Sequence, residues 1–135
     1  MPKHPARLQR AGISKARYEM LKSFCRQYQE FKRALSRARA GIVDRPVHTS
    51  GAWHAPDPTG RAAMHLADHP AAKRVKLIED CAAAVAEPVI AQAIVKSVSE
   101  GKGFDVLRPH IGEKQFYILR LLFYIELDRR MWETW

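Results

Sequence analysis

The stretch that decides the fold is FDVLRPHIGEKQFYILRLLF, residues 104–123. A short apolar turn comes first, and the tight connection Pro109-His-Ile-Gly112 follows it. From Glu113 onward apolar residues recur at helical spacing, which predicts a long helix. A short helix, a turn near a glycine and a second helix form the outline of a helix-turn-helix unit, which we assign to residues 103–131. The inward side of the long helix is predicted to carry Phe116, Leu119, Leu122 and Phe123.

The start of the long helix is the candidate reading surface. In a helix-turn-helix unit the N-terminal side chains of the second helix face the major groove. Lysine and glutamine bond base edges or phosphate, tyrosine bonds phosphate, and isoleucine can touch a thymine methyl group. A helical corner without a DNA role has a similar pattern, and Glu113 repels phosphate unless it accepts a bond from cytosine. The base-reading candidates are Lys114, Gln115, Tyr117 and Ile118.

Positive charge is concentrated at the opposite end of the chain. The first forty residues hold eleven Lys or Arg and two acidic residues, whereas the other ninety-five hold twelve of each sign. Clustered Lys and Arg predict a surface for nucleic-acid phosphates, and a solvated helix surface is the alternative. The phosphate-binding candidates are Arg7, Arg10, Lys15, Arg17, Lys22, Arg26, Arg33, Lys102 and Arg108.

The remaining organisation is helical, so we predict an all-α protein. Residues 1–13 are expected to form a mobile basic arm before a single domain over 14–135. Ser14 caps an amphipathic helix of about 25 residues that ends at Gly41. We predict an extended loop over residues 41–56. Further helix starts or breaks are predicted at three pairs: Asp57-Pro58, His69-Pro70 and Glu87-Pro88.

Several short motifs give a resemblance to a known family. They are Leu21-Lys22 and Phe24-Cys-Arg-Gln-Tyr28 with Phe31, then Asp57-Pro-Thr-Gly60, Lys76-Leu-Ile-Glu79, Gly112 to Tyr117, and Phe123-Tyr124. Together they resemble small phage and prophage regulators of Gram-positive bacteria, of the RinA and ArpU late-gene type. The resemblance implies a helix-turn-helix like region four of sigma factors. It makes Gly112 the turn, Lys114, Gln115 and Tyr117 the reading face, and Phe116 and Phe123 core residues.

Other chemistry is weakly represented in the sequence. Cys25 and Cys81 fall on apolar helix faces and predict buried, reduced thiols. His65 and His69 lie four residues apart but lack a third ligand at metal spacing. No phosphate-binding glycine loop or nucleophilic triad is recognisable, so we expect neither an enzyme nor a cofactor. The absence of a long apolar run or a signal-like start leads us to expect no membrane association, and a location in the cytoplasm of a bacterial host.

These features together predict a phage-type transcriptional regulator that binds double-stranded DNA. RNA polymerase or another host protein is a further expected partner. Trp53, Trp132 and Trp135 fit either docking onto the protein's own core or a homodimer interface. Two rival functions stay open: a phage accessory protein that inhibits a host protein or nucleoprotein, and a small DNA-packaging (terminase) subunit.

Overall fold

The computed structural model describes residues 4–43 and 68–134. This part of the chain is helical and contains no β-strand, which confirms the all-α prediction. The predicted loop beyond Val43 and the predicted helix start at Asp57-Pro58 lie outside the described residues. The helices, numbered in chain order, are α1 (Ala6–Arg10), α2 (Lys15–Arg26), α3 (Tyr28–Val43), α4 (Pro70–Val85), α5 (Pro88–Glu100), α6 (Phe104–Leu107) and α7 (Glu113–Thr134).

The N-terminal segment differs from the mobile arm predicted for residues 1–13. Residues 6–10 form α1, which packs against α7, and Leu8 and Ile13 belong to the hydrophobic core. The His4 ring is also hydrogen-bonded to the Ile13 carbonyl, with Nε2 and O separated by 2.8 Å. Burial of these two large aliphatic side chains favours an ordered segment. The sequence did not indicate it, because the two prolines leave no recognisable helical period.

The predicted first helix is divided in two. Ser14 caps α2 as expected, because its Oγ accepts a hydrogen bond from the Arg17 backbone N–H at 3.1 Å. The chain leaves helical geometry at Gln27 and starts again at Tyr28. Gly41 does not end the second helix, which continues to Val43. A single glycine costs a helix only about 1 kcal/mol relative to alanine, so it does not by itself end one.

The proline-marked boundaries agree with the sequence. Pro70 is the first residue of α4, and the His69 ring nitrogen Nδ1 accepts a hydrogen bond from the Ala71 N–H at 3.0 Å. Pro88 likewise starts α5, which ends at Gly101 with a φ of 72°. Glycine suits this left-handed position because it has no Cβ to clash.

The core is formed where α2, α4, α5 and α7 pack together. Helix α4 packs against α3, α5 and α7, and α2 packs against α5 and α7. Phe116 and Phe123 are fully buried as predicted, whereas Leu119 and Leu122 are only half-buried. The side chains that are completely shielded from solvent are those of Leu8, Leu21, Cys25, Ile78, Cys81, Ile94, Phe116, Phe123 and Leu127.

Both cysteines are buried free thiols, as the sequence predicted. Burial raises the pKa of Cys81 to about 12 and raises that of Cys25 still further above its ordinary value. A thiol must lose its proton to act as a nucleophile, so neither cysteine is suited to that role at neutral pH.

Candidate functional site

The connection between α6 and α7 fixes how the last helix begins. Arg108 ends α6 with a φ of 44°, and its N–H donates to the Phe104 carbonyl at 2.8 Å. Gly112 precedes α7 directly, and its carbonyl accepts a hydrogen bond from the Phe116 N–H at 2.9 Å. Ile111 packs against the core from within this connection. Backbone hydrogen bonds at the end of α6 and the start of α7, together with the packing of Ile111, therefore fix the turn between the two helices.

The base-reading candidates divide into two pairs. Lys114 and Gln115 are exposed at the start of α7. Tyr117 and Ile118 are half-buried, and the Tyr117 hydroxyl accepts a hydrogen bond from the Phe104 N–H at 3.2 Å. Tyr117 thus links α6 to α7, although its hydroxyl proton remains able to donate. Only the first pair projects freely into solvent.

A groove of about 800 Å³ lies between α1, α2, α5 and α7. It brings together side chains from both ends of the chain, including the charged N-terminal region and the start of α7. The predicted site residues that line it are Arg7, Lys22, Arg26, Lys114, Tyr117 and Ile118. The predicted site residues that do not line it are Arg10, Lys15, Arg17, Arg33, Lys102, Arg108 and Gln115.

Three of the residues outside the groove make contacts within the protein. The Arg17 guanidinium forms an ion pair with Asp128 and lies 4.6 Å from the centroid of the Trp132 ring. The Lys102 ammonium lies 3.6 Å from a Glu100 carboxylate oxygen. Arg108 donates from Nε to the Asp105 carbonyl at 3.2 Å. These contacts give the three cations a structural role besides any contact with phosphate.

Sequence reasoning missed Arg120, a cation at the floor of the groove. Its Nη1 donates to the Ser97 hydroxyl at 3.1 Å, and its guanidinium lies 4.6 Å from the centroid of the Tyr117 ring. Nε is buried and has no hydrogen-bond acceptor among the described residues. An arginine inside the apolar run from Tyr117 to Phe123 was the available signal, because such a charge needs a particular environment.

The groove carries an excess of positive charge. Its charged side chains are five cations, from Arg7, Lys22, Arg26, Lys114 and Arg120, and one carboxylate, from Glu113. Of these cations, Lys22 is partly balanced, since its Nζ lies 3.2 Å from a carboxylate oxygen of Glu19. The same Nζ lies 4.6 Å from the Tyr18 ring centroid. Because five cations and a single carboxylate line one groove, this surface is suited to bind an anion.

Metal chemistry finds no support in the part of the chain that is described. Residues 4–43 and 68–134 contain no cluster of three or more His, Cys, Asp or Glu side chains that could hold a metal ion. His65 lies outside these ranges, so the His65–His69 pair, which the sequence makes only a weak metal candidate, is not described, and neither is any contact of Trp53 or Trp135. Trp132 is exposed, with 70% of its surface accessible.

Comparison with known proteins adds no relative. A scan against protein-family models, a search of curated proteins and a search of solved structures each find no match. Among the helices described in full or in part, none combines the length and the apolar character needed to cross a bilayer.

Proposed function

We propose that this protein is a DNA-binding transcriptional regulator, of the phage type that its sequence resembles. In this proposal α6, the turn at Gly112 and α7 act as a helix-turn-helix-like unit on double-stranded DNA. Helix α6 has only four residues, so most of the orientation of α7 comes from its contacts with α2, α4 and α5. RNA polymerase or another host protein would be the second partner.

One observation carries the proposal: the groove joins cations of α1 and α2 to the first turn of α7. Arg7, Arg26 and Lys114 are all exposed, and all three line the groove. Phosphate contacts set the position of a protein on DNA, and base contacts set its sequence preference. A surface that offers both kinds of side chain side by side can hold a backbone and read bases at once.

The proposed mechanism gives each part of this surface one task. The exposed cations of the rim bind phosphates, an interaction that weakens as salt concentration rises because counterions are released. Lys114 and Gln115 then contact base edges in the major groove. Glu113, beside them, disfavours close phosphate contact and accepts only from a cytosine amino group. Regulation follows from contact with RNA polymerase or from its exclusion at the bound site.

The test begins with selection from random duplexes of about two helical turns, followed by titration of selected and scrambled duplexes across a salt series. We expect the double variant Lys114→Ala/Gln115→Ala to lose about ten- to a hundredfold of its preference for the selected sequence. Lys96→Ala is the matched control, since Lys96 is exposed on α5 and does not line the groove.

The other outcomes identify the alternatives. Equal binding of both duplexes by the wild-type protein would contradict base reading by α7. Failure to bind any duplex would overturn the proposal and favour a protein partner, as expected of an accessory inhibitor. A ring-shaped assembly in a mass measurement would favour a packaging subunit instead.

A further inference from the structure

The floor of the groove differs in chemistry from its rim. The rim cations Arg7, Arg26 and Lys114 are exposed, whereas Ser97, Tyr18 and Tyr124 are buried beneath them, with 3%, 7% and 4% of their surfaces accessible. A duplex backbone can contact the rim. A ligand must enter the groove to contact these buried residues.

Arg120 is the residue of the groove floor that most favours binding of an anionic ligand. Its partners among the described residues are a neutral serine hydroxyl and a tyrosine ring, and no carboxylate of residues 4–43 or 68–134 pairs with it. A partly buried guanidinium without a counterion is electrostatically costly, and an incoming anion relieves that cost. A guanidinium attracts phosphate by its charge and by charge-assisted hydrogen bonds from its terminal nitrogens.

The walls of the groove suit a planar group next to the anion. Tyr117 is half-buried and lines the recess beside Arg120, whereas Tyr18 and Tyr124, which also line it, are almost fully buried. Aromatic side chains provide flat apolar surface for bases with little regard for their sequence. The groove volume of about 800 Å³ also falls within the range of small-ligand pockets, roughly 300–1,000 Å³.

We propose that the groove is a nucleotide-binding site in which Arg120, assisted by Lys22, holds a phosphate while the half-buried Tyr117 contacts the base. The ligand is either a free mononucleotide or a nucleotide of a single strand, which share this chemistry. The site does not use Lys114 or Gln115, so it is tested apart from base reading by these two residues, although Lys22 also belongs to the cations proposed to contact duplex phosphates.

The test is calorimetric titration of the wild-type protein with adenosine 5′-monophosphate, adenosine and inorganic phosphate. We expect the monophosphate to bind at least about tenfold more tightly than either fragment, because only it engages both the cations and Tyr117. Arg120→Gln should weaken the monophosphate by about ten- to a hundredfold and leave adenosine unchanged. Arg120→Lys should restore part of the affinity.

Controls separate binding from folding. Arg129→Gln, on the same helix but outside the groove, should bind like the wild type. If Arg120→Gln fails to fold by circular dichroism, Lys22→Gln replaces it, with a smaller expected loss for the monophosphate only. Displacement of the monophosphate by a short single-stranded oligonucleotide identifies a strand as the source, and failure to displace it identifies a free nucleotide. Equal affinity for monophosphate and adenosine, or wild-type affinity in a folded Arg120→Gln variant, would overturn the proposal.

Discussion

Helices α2 and α3 start from the same kind of sequence and reach different environments. Both are amphipathic and basic, and only the non-helical residue Gln27 separates them. Helix α2 buries Tyr18, Leu21, Phe24 and Cys25 between α5 and α7. Of the α3 side chains that the structure describes, only that of Tyr28 is buried. The difference shows that amphipathic pattern predicts a helix but not how much of it the fold covers.

The same contrast divides the positive charge of the first forty residues. On α2, Lys22 and Arg26 line the groove, and Arg17 is paired with Asp128. On α3 the basic side chains are exposed, and none lines the groove; they are Lys32, Arg33, Arg37 and Arg39. A count of charges alone treats these cations as one surface. In the fold, by contrast, they occupy at least two environments.

The largest expected effect is on stability, from Leu21→Ala in α2. Leu21 is completely buried, so its truncation should lower the free energy of unfolding by about 2–5 kcal/mol, through lost apolar contact and a residual cavity. The matched variant Leu35→Ala in α3 removes a half-buried side chain and should cost about 1 kcal/mol. Urea denaturation measures both values. Equal losses would mean that the two side chains contribute equally to stability, which would contradict the difference in burial between α2 and α3.

The second prediction concerns duplex binding, and it depends on the proposed function. Each phosphate contact contributes about 0.9 to the slope of log affinity against log salt. Lys22→Gln/Arg26→Gln should therefore reduce the slope by up to about 2. Arg33→Gln/Arg37→Gln, two exposed arginines one turn apart on α3, should change it less. An equal reduction from the α3 pair would extend the DNA surface over both helices.

These contrasts also explain which parts of the fold could be predicted from the sequence. Caps and prolines act within one turn of chain, so Ser14, Pro70 and Pro88 marked their helix starts correctly. The interruption at Gln27 has no such mark. It arises where α2 packs on α5 and α7 while α3 packs on α4, which are contacts distant in sequence.

The candidate site was predictable in its exposed parts only. Lys114 and Gln115 could be placed on the outer face of α7 by helical spacing alone. Arg120 could not, because its surroundings come from Ser97 on another helix and from Tyr117 one turn earlier. Arg17 was predicted to bind phosphate, and nothing local indicated that Asp128, far along the chain, would pair with it.

The third prediction tests that structural cation. Arg17 and Asp128 are largely shielded, with 26% and 15% of their side-chain surfaces exposed. Arg17→Gln should lower the free energy of unfolding by about 1–2 kcal/mol, since it removes the ion pair and the contact with Trp132. Lys15→Gln, an exposed cation two residues earlier, should change it by less than about 0.5 kcal/mol. A double-mutant cycle with Asp128→Asn measures the coupling free energy of the Arg17–Asp128 ion pair. A coupling near zero would mean that this ion pair does not stabilise the fold and that Arg17 behaves like an exposed cation.

The smallest effect is expected at the start of α3, where the Tyr28 hydroxyl donates to a Glu79 carboxylate oxygen at 2.6 Å. Tyr28→Phe removes this bond to α4 and should lower the free energy of unfolding by about 1 kcal/mol at neutral pH, measured by urea denaturation. Burial first, and then the hydrogen bond to Glu79, raise the pKa of Tyr28 above its ordinary value.

The direction of the pH dependence follows from that raised pKa. The folded protein holds the phenol proton more tightly than the unfolded chain does, so this contribution is complete below the unfolded pKa of about 10 and is lost as pH rises above it. Tyr28→Phe should therefore show a shallower loss of stability than the wild type between about pH 9 and about pH 11. Glu79→Gln keeps an acceptor but removes the charge, so it should retain most of the neutral-pH stability and show an alkaline loss between those of the wild type and Tyr28→Phe, because burial still raises the pKa of Tyr28. An unchanged alkaline slope in both variants would mean that the Tyr28–Glu79 contact does not hold α3 against α4, and that α3 depends on its half-buried apolar side chains alone.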